Sequence, residues 1–203
     1  AAADIIGFKM HWQLAAAPAA ALARHVELVW FDGGYAGLQP IENGQANLCL
    51  VLSAAAFARL GRSWGRLLEH LEGIAPHLGA RLAGAEASWP HPATIAGVPY
   101  GHLHRGGADG PYRLGDQLAV IPSFAGEGIA LALRTARRAA LAVRAGEPPA
   151  AYHRAAARDV RRPLRAACTV AYLTRPRIAR QLAVELGRLP GVLPTLARAV
   201  RAD

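Results

Sequence analysis

An α+β fold, with an antiparallel sheet in the first half of the chain and helices in its last quarter, is predicted by three observations. Residues 4–14 and 25–53 are rich in β-branched, aromatic and Leu residues without a 3.6-residue period. The second run is broken at Glu42-Asn43-Gly44-Gln45, and Asn-Gly is the strongest short hairpin signal because both positions tolerate positive φ. From Pro148 onward the pattern is helical, with expected breaks at Pro163, Pro176, Pro190 and Pro194. With 203 residues, 53% of them apolar, the chain can bury one ordinary core, or one core with an attached helical subdomain.

The first extended run carries Ile5, Ile6 and Phe8, and the second Val26, Leu28, Val29, Trp30 and Phe31. VELVWFDGGYAGLQPIENGQANLCLVLS therefore reads as one antiparallel hairpin with Gly33, Gly34 and Gly37 inside a strand and Glu42 exposed at the turn. Phe57, Leu60, Trp64, Leu67, Leu68 and Leu71 then fall at helical spacing, with Ser53 as N-cap and Arg59, Arg62 and Arg66 on the opposite face. They predict one amphipathic helix over residues 55–72, laid against the sheet. A short helix starting at Pro76 follows. Extended runs around Ser88–Trp89 and Thr94–Leu103 come next, confined to edges or bends by Pro90, Pro92 and Pro99. Residues 111–114 read as a short strand and residues 127–145 as a helix.

The net charge of +9 is unevenly placed: residues 1–149 hold 12 basic and 11 acidic side chains, residues 150–203 hold 11 Arg and 3 acids. The chain has 22 Arg and one Lys, a bias expected of a GC-rich coding sequence. Arg154, Arg158, Arg161, Arg162 and Arg165 lie opposite Tyr152, Val160, Leu164 and Cys168 on one helix, first a solvated face and second a peripheral contact with an anionic membrane. Nucleic acid is not an expected partner, because no recognition module accompanies the charge. Cys49 and Cys168 stand in apolar contexts without ligand spacing, so both are expected to be buried and unpaired in a reducing, cytoplasmic setting. No apolar run reaches the roughly 18–20 residues of a membrane span.

The chemistry concentrates in residues 115–134, GDQLAVIPSFAGEGIALALR. Gly115 lets the backbone turn tightly, and the Asp116 carboxylate beside it can accept hydrogen bonds from a polyol. Further on, Gly126-Glu127-Gly128 opens a helix whose free N–H groups favour an anion or an electron-rich oxygen. Between them, Pro122 and Ser123 can wall a flat ring. In this order and spacing, YRLGDQLAVIPSFAGEGIALALR resembles the second flavin-contacting segment of FAD-dependent oxidoreductases of the geranylgeranyl reductase and para-hydroxybenzoate hydroxylase type. FDGGYAGLQPIENGQANLCLVL is similar to the hairpin of that family's substrate-domain sheet.

The resemblance implies an antiparallel substrate-domain sheet (1–104), the C-terminal part of an FAD-binding fold (105–146) and a basic helical tail (147–203). It implies FAD as cofactor, with NAD(P)H a candidate electron donor. Asp116, following Gly115, would hold the ribityl chain, Pro122 and Ser123 would border the ring, and Gly126, Glu127, Gly128 and Ile129 would offer helix N-terminal N–H groups to its pyrimidine edge. The family shows Ala after Gly-Asp, where this chain has Gln117 and Leu118. The family's opening GxGxxG unit, which seats the pyrophosphate, occurs nowhere here. The chain thus reads as the C-terminal portion of a longer enzyme.

Tyr35, among the glycines of GGYAGL, is a candidate substrate contact, with a core tyrosine beside a bulge as the equal alternative. His102 and His104 share a side if extended, but no third ligand stands nearby, so no metal is expected. The first functional expectation is a partial FAD-dependent oxidoreductase moving hydride to or from a small hydrophobic, isoprenoid- or polyketide-like substrate. The alternatives are a flavin monooxygenase hydroxylating an aromatic substrate, and a non-catalytic remnant that binds a partner.

Overall fold

The computed structural model describes residues 4–106, 110–174, 177–187 and 189–200. They divide into two compact units, Ala1–Val98 and Pro99–Asp203.

The first unit is a sheet covered on one face by helices. Its strands are β1 (Ile5–Gln13), β2 (Glu27–Phe31), β3 (Gly34–Pro40), β4 (Gln45–Ser53), β5 (Glu86–Ala87) and β6 (Ala93–Ala96). They run in the order β2-β3-β4-β1-β5, with β6 also on β1, and every pairing is antiparallel. The long β1–β4 ladder, from Ile5 opposite Ser53 to Gln13 opposite Gln45, sets the register. That register turns Phe8, Leu48, Leu50, Leu52, Ala36 and Leu38 to one buried face.

Four helices close that face: α1 (Ala16–Leu22), α2 (Ala54–Arg59), α3 (Trp64–Ile74) and α4 (Pro76–Leu82). Leu67 and Leu71, four apart on α3, are fully buried beside Leu22 and Leu78. Ser53 caps α2 by accepting from the Ala56 N–H, and Pro76 occupies the first turn of α4, both as the sequence predicts.

Three expectations for this unit are corrected. The single hairpin is a three-stranded meander, because Asp32-Gly33 makes a second tight turn with Gly33 at φ +89°. Gly34 then enters β3 at a point where a Cβ would lie 2.2 Å from the Val51 carbonyl oxygen. The 55–72 helix is two helices. Gly61 at φ +67° ends α2, with Arg62 N–H donating to Phe57 O and Gly61 N–H to Ala58 O, a Schellman end, and Ser63 then caps α3 through Arg66 N–H. The Ala-rich run after β1, to which the sequence pattern assigns no element, is helix α1, held by the burial of Leu22. Cys49 is exposed rather than buried, because strand alternation turns it away from the helices.

The second unit begins with irregular chain, in which residues 101–104 pair with 118–120 through Gly101 N–H to Val120 O, Val120 N–H to His102 O and His104 N–H to Leu118 O. Helices α5 (Gly128–Arg144), α6 (Pro149–Leu173), α7 (Arg177–Gly187) and α8 (Val192–Val200) follow. Leu118, Leu131, Tyr152, Val160, Leu164 and Ala167 form its core. The Arg154 to Arg165 series is exposed, while Tyr152, Val160 and Leu164 opposite it are buried.

Residues 111–114 are not a strand. Their backbone is instead satisfied from α6, Arg113 N–H donating to His153 Nε2 and Arg113 O accepting from the Tyr152 hydroxyl. Pro163 does not break α6, which runs 25 residues through it. A proline inside a helix costs about 3 kcal/mol, here offset by burial of Val160, Pro163, Leu164 and Ala167 on one side. Pro194 sits in the first turn of α8, where its missing N–H costs nothing. Pro190 lies in the turn before α8, and Pro176 lies outside the described residues. No helix among the described residues is long and apolar enough to cross a membrane.

Candidate functional site

The predicted flavin residues lie on one continuous segment of the second unit. Gly115 opens a single 3-10 turn, Gly115–Gln117, with φ +49°. A Cβ there would stand 3.2 Å from Ala132 Cβ on α5, so glycine is required by both conformation and space. Its N–H donates to Thr135 Oγ1 at 3.0 Å, and the Thr135 hydroxyl bonds back to Leu131 O. The motif is thereby bolted to the helix it precedes. Asp116, next in the turn, is exposed, and the two ion pairs found among the described residues leave it out.

Leu118 to Ile121 bury their side chains and carry the chain to Pro122, also buried, and Ser123, exposed at the start of a second 3-10 turn, Ser123–Ala125. Gly126 at φ +70° turns the chain into α5. Glu127 takes the N-cap position without a side-chain cap bond. The first N–H groups of α5, from Gly128 and Ile129 onward, have no carbonyl of their own helix to reach. A Cβ on Gly126 or Gly128 would meet nothing within 4 Å, and Ile129 is 79% exposed, so the helix start is an open cradle. An acceptor-only carboxylate, a rigid wall and an open helix N-terminus are the donor and acceptor set that a ribityl flavin needs. Tyr35 belongs to the first unit, half-buried on β3, its ring tilted at 42° to that of Trp30 with centroids 5.2 Å apart.

The structure adds residues that the sequence pattern left unmarked. Tyr100 hydrogen-bonds Ser123 hydroxyl to hydroxyl, holding the wall residue from the adjacent strand-like segment. His104 packs edge-on against His153, with ring centroids 4.6 Å apart. Because His153 Nε2 accepts the Arg113 N–H, its neutral ring carries the hydrogen on Nδ1, which is buried without a partner among the described residues. Burial lowers the pKa of His153, and the nearby His104 and Arg113 lower it further. Burial also lowers that of His104, reinforced by Arg113 and His102. No group of three or more His, Cys, Asp or Glu among the described residues could hold a metal.

The histidine pair makes stability pH-dependent. A histidine whose pKa is depressed on folding binds fewer protons than in the unfolded chain, so its contribution is present above the ordinary value of about 6.5 and is lost as pH falls below it. Protonation would also set a hydrogen on Nε2 against the Arg113 N–H. The urea midpoint of the second unit, followed by helical circular dichroism, should therefore drop between pH of about 7.5 and about 5.5. His153→Gln should flatten that slope, and a wild-type midpoint constant over this range would contradict the lowered pKa of the pair.

No protein-family model and no curated protein matches this chain. Among solved structures, the flavin-dependent brominase Bmp2 is similar over 97% of this chain and 50% of its own, with TM-score 0.69 and 15% identity. PqsL, described as a probable FAD-dependent monooxygenase from Pseudomonas aeruginosa, is similar over 91% of this chain and 52% of its own, with TM-score 0.57 and 21% identity. The flavin-dependent halogenase CmlS covers 80% of this chain at TM-score 0.59 and 18% identity. The chain spans about half the length of the brominase and of PqsL. The mixed helix and antiparallel sheet described above is therefore a fold found within flavin-dependent halogenases and monooxygenases.

Proposed function

We propose that this chain supplies the substrate sheet and the second flavin-contacting segment of an FAD-dependent oxidoreductase of the monooxygenase type. The observation that carries the reading is the segment from Gly115 to Ile129, where an exposed Asp116, outside both ion pairs found among the described residues, and the open start of α5 are held in one piece by Thr135. Neighbouring folds belong to halogenases and monooxygenases, which favours oxygen-dependent hydroxylation of an aromatic substrate over hydride transfer to an isoprenoid.

FAD, when bound, supplies the two-electron redox chemistry, with NAD(P)H its proposed reductant. Asp116 accepts hydrogen bonds from ribityl hydroxyls. Pro122 and Ser123 border the ring, Ser123 being held by Tyr100. The N–H groups of Glu127, Gly128 and Ile129 are offered to its electron-rich edge, the Gly126 N–H being already donated to the Ser123 carbonyl, and the positive end of α5 favours negative charge there.

FAD titration tests the reading. The 203-residue chain should bind weakly and lose flavin on desalting, since ribityl and ring contacts alone lack a pyrophosphate site. Joined to an N-terminal GxGxxG unit, it should purify yellow and turn over an aromatic substrate only with oxygen present. Product formed equally without oxygen would restore hydride transfer as the reading. A joined form that folds but never takes up flavin would end both.

A further inference from the structure

We propose that the C-terminal helices dock on an anionic lipid surface, α7 lying in the plane of the headgroups with its apolar row turned into the acyl region. At helical spacing Ile178, Leu182 and Leu186 fall on one side of α7. The Leu189 N–H still donates to the Leu186 carbonyl, so Leu189 continues the row beyond the helix end. All four side chains are more than half exposed. A contiguous row of large aliphatic groups left open to water marks a surface that another apolar body covers. With 11 residues α7 is about 16 Å long, too short to cross a hydrocarbon core of about 30 Å, so it can meet a bilayer only in its plane.

The preceding helix supplies the charge. On α6, Arg154, Arg158, Arg161 and Arg165 recur every three or four residues along one side, and all are exposed. Tyr172, seven residues after Arg165, ends the same row and is 69% exposed. A tyrosine there suits the headgroup level, its ring being apolar and its hydroxyl polar. Asp159, the one acid in the α6 sequence, is paired with Arg138 and leaves the arginine row unneutralised.

Charge selects the occupant. Residues 150–203 hold 11 Arg against 3 acids, so two copies of this surface repel one another, whereas anionic headgroups attract it. A nucleic acid would meet the arginines and offer nothing to the aliphatic row. A bilayer containing anionic lipid satisfies both, taking the aliphatic side chains below the headgroups and the guanidinium groups among them.

This surface is independent of the flavin reading, and neither stands or falls with the other. Co-sedimentation of the full chain with vesicles tests it, comparing phosphatidylcholine alone with an equal mixture of phosphatidylcholine and phosphatidylglycerol. The mixed vesicles should bind at least about tenfold more tightly, and that advantage should shrink as salt rises from about 0.05 to about 0.5 M. Leu182→Ser with Leu186→Ser should weaken binding to them about a hundredfold. Arg161→Gln with Arg165→Gln should weaken it about ten- to thirtyfold, and Arg161→Lys with Arg165→Lys should stay within about threefold of wild type. All four positions are exposed, so the helical circular dichroism should not change. Equal binding to neutral and mixed vesicles, or no binding to either, would overturn the proposal whatever the variants do. So would undiminished binding by the leucine variant, or a dimer in sedimentation equilibrium that this variant dissociates, which would put a second copy on the row.

Discussion

Gly115→Val is expected to destabilise the Pro99–Asp203 unit by about 2–5 kcal/mol, the combined cost of a left-handed backbone at a β-branched residue and of overpacking. Position 115 has φ +49°, and the new side chain would meet Ala132 of α5. The strain cannot be relieved by moving the turn, because the Gly115 N–H is tied to Thr135 Oγ1 in the core. Gly115→Ala, without the branch, should cost less. All four tryptophans lie in the first unit, so tryptophan fluorescence reports that unit and the helical signal weighs the other. The expected result is a urea transition shifted by far-UV circular dichroism and unshifted by tryptophan fluorescence. An unchanged helical transition would mean that the turn is loosely held and does not position Asp116.

Asp116→Ala, in a form carrying an N-terminal nucleotide unit, is expected to weaken FAD binding about ten- to a hundredfold, since charge-assisted hydrogen bonds to hydroxyls contribute roughly 1.5–3 kcal/mol. Its carboxylate is exposed and outside both ion pairs, so stability should be unaffected and the loss should be confined to the ligand. Asp116→Asn should recover part of it, keeping an acceptor without the charge. Glu127→Gln, at the N-cap of α5, should change affinity less and shift the flavin's redox behaviour more. FAD titration of the apoprotein decides: equal affinity for wild type and Asp116→Ala would remove the ribityl role of this residue.

Both predictions rest on features of unequal legibility. Asn43-Gly44, with both residues at positive φ, the Ser53 cap, the Pro76 start and helix α5 were all readable from the sequence, because each is decided by neighbours within a few residues. The second tight turn at Asp32-Gly33 carried an equally local signal, a hairpin pair of the same kind, that was read as strand. Gly61-Arg62-Ser63 likewise holds a helix stop and a helix start that a continuous apolar stripe concealed.

What the sequence alone determined is the order of elements and the short-range chemistry: an antiparallel sheet, then a Gly-Asp turn, then a glycine-led helix, then basic helices. Only the tertiary structure decided which distant groups meet. Pro163 stays helical because its side chain is buried with the α6 core, burial first and then His104 and Arg113 lower the pKa of His153, whose ring accepts the Arg113 N–H across 40 residues, and Ser123 is held by a tyrosine 23 residues away. Cys49 reads as a buried cysteine until the register of β1, β4 and β3 sets it between Lys9 and Gly37 on the face turned away from the helices. Local backbone preferences are written in adjacent residues. Burial, proton affinity and the shape of a surface are sums over residues that only folding brings within a few ångströms of one another.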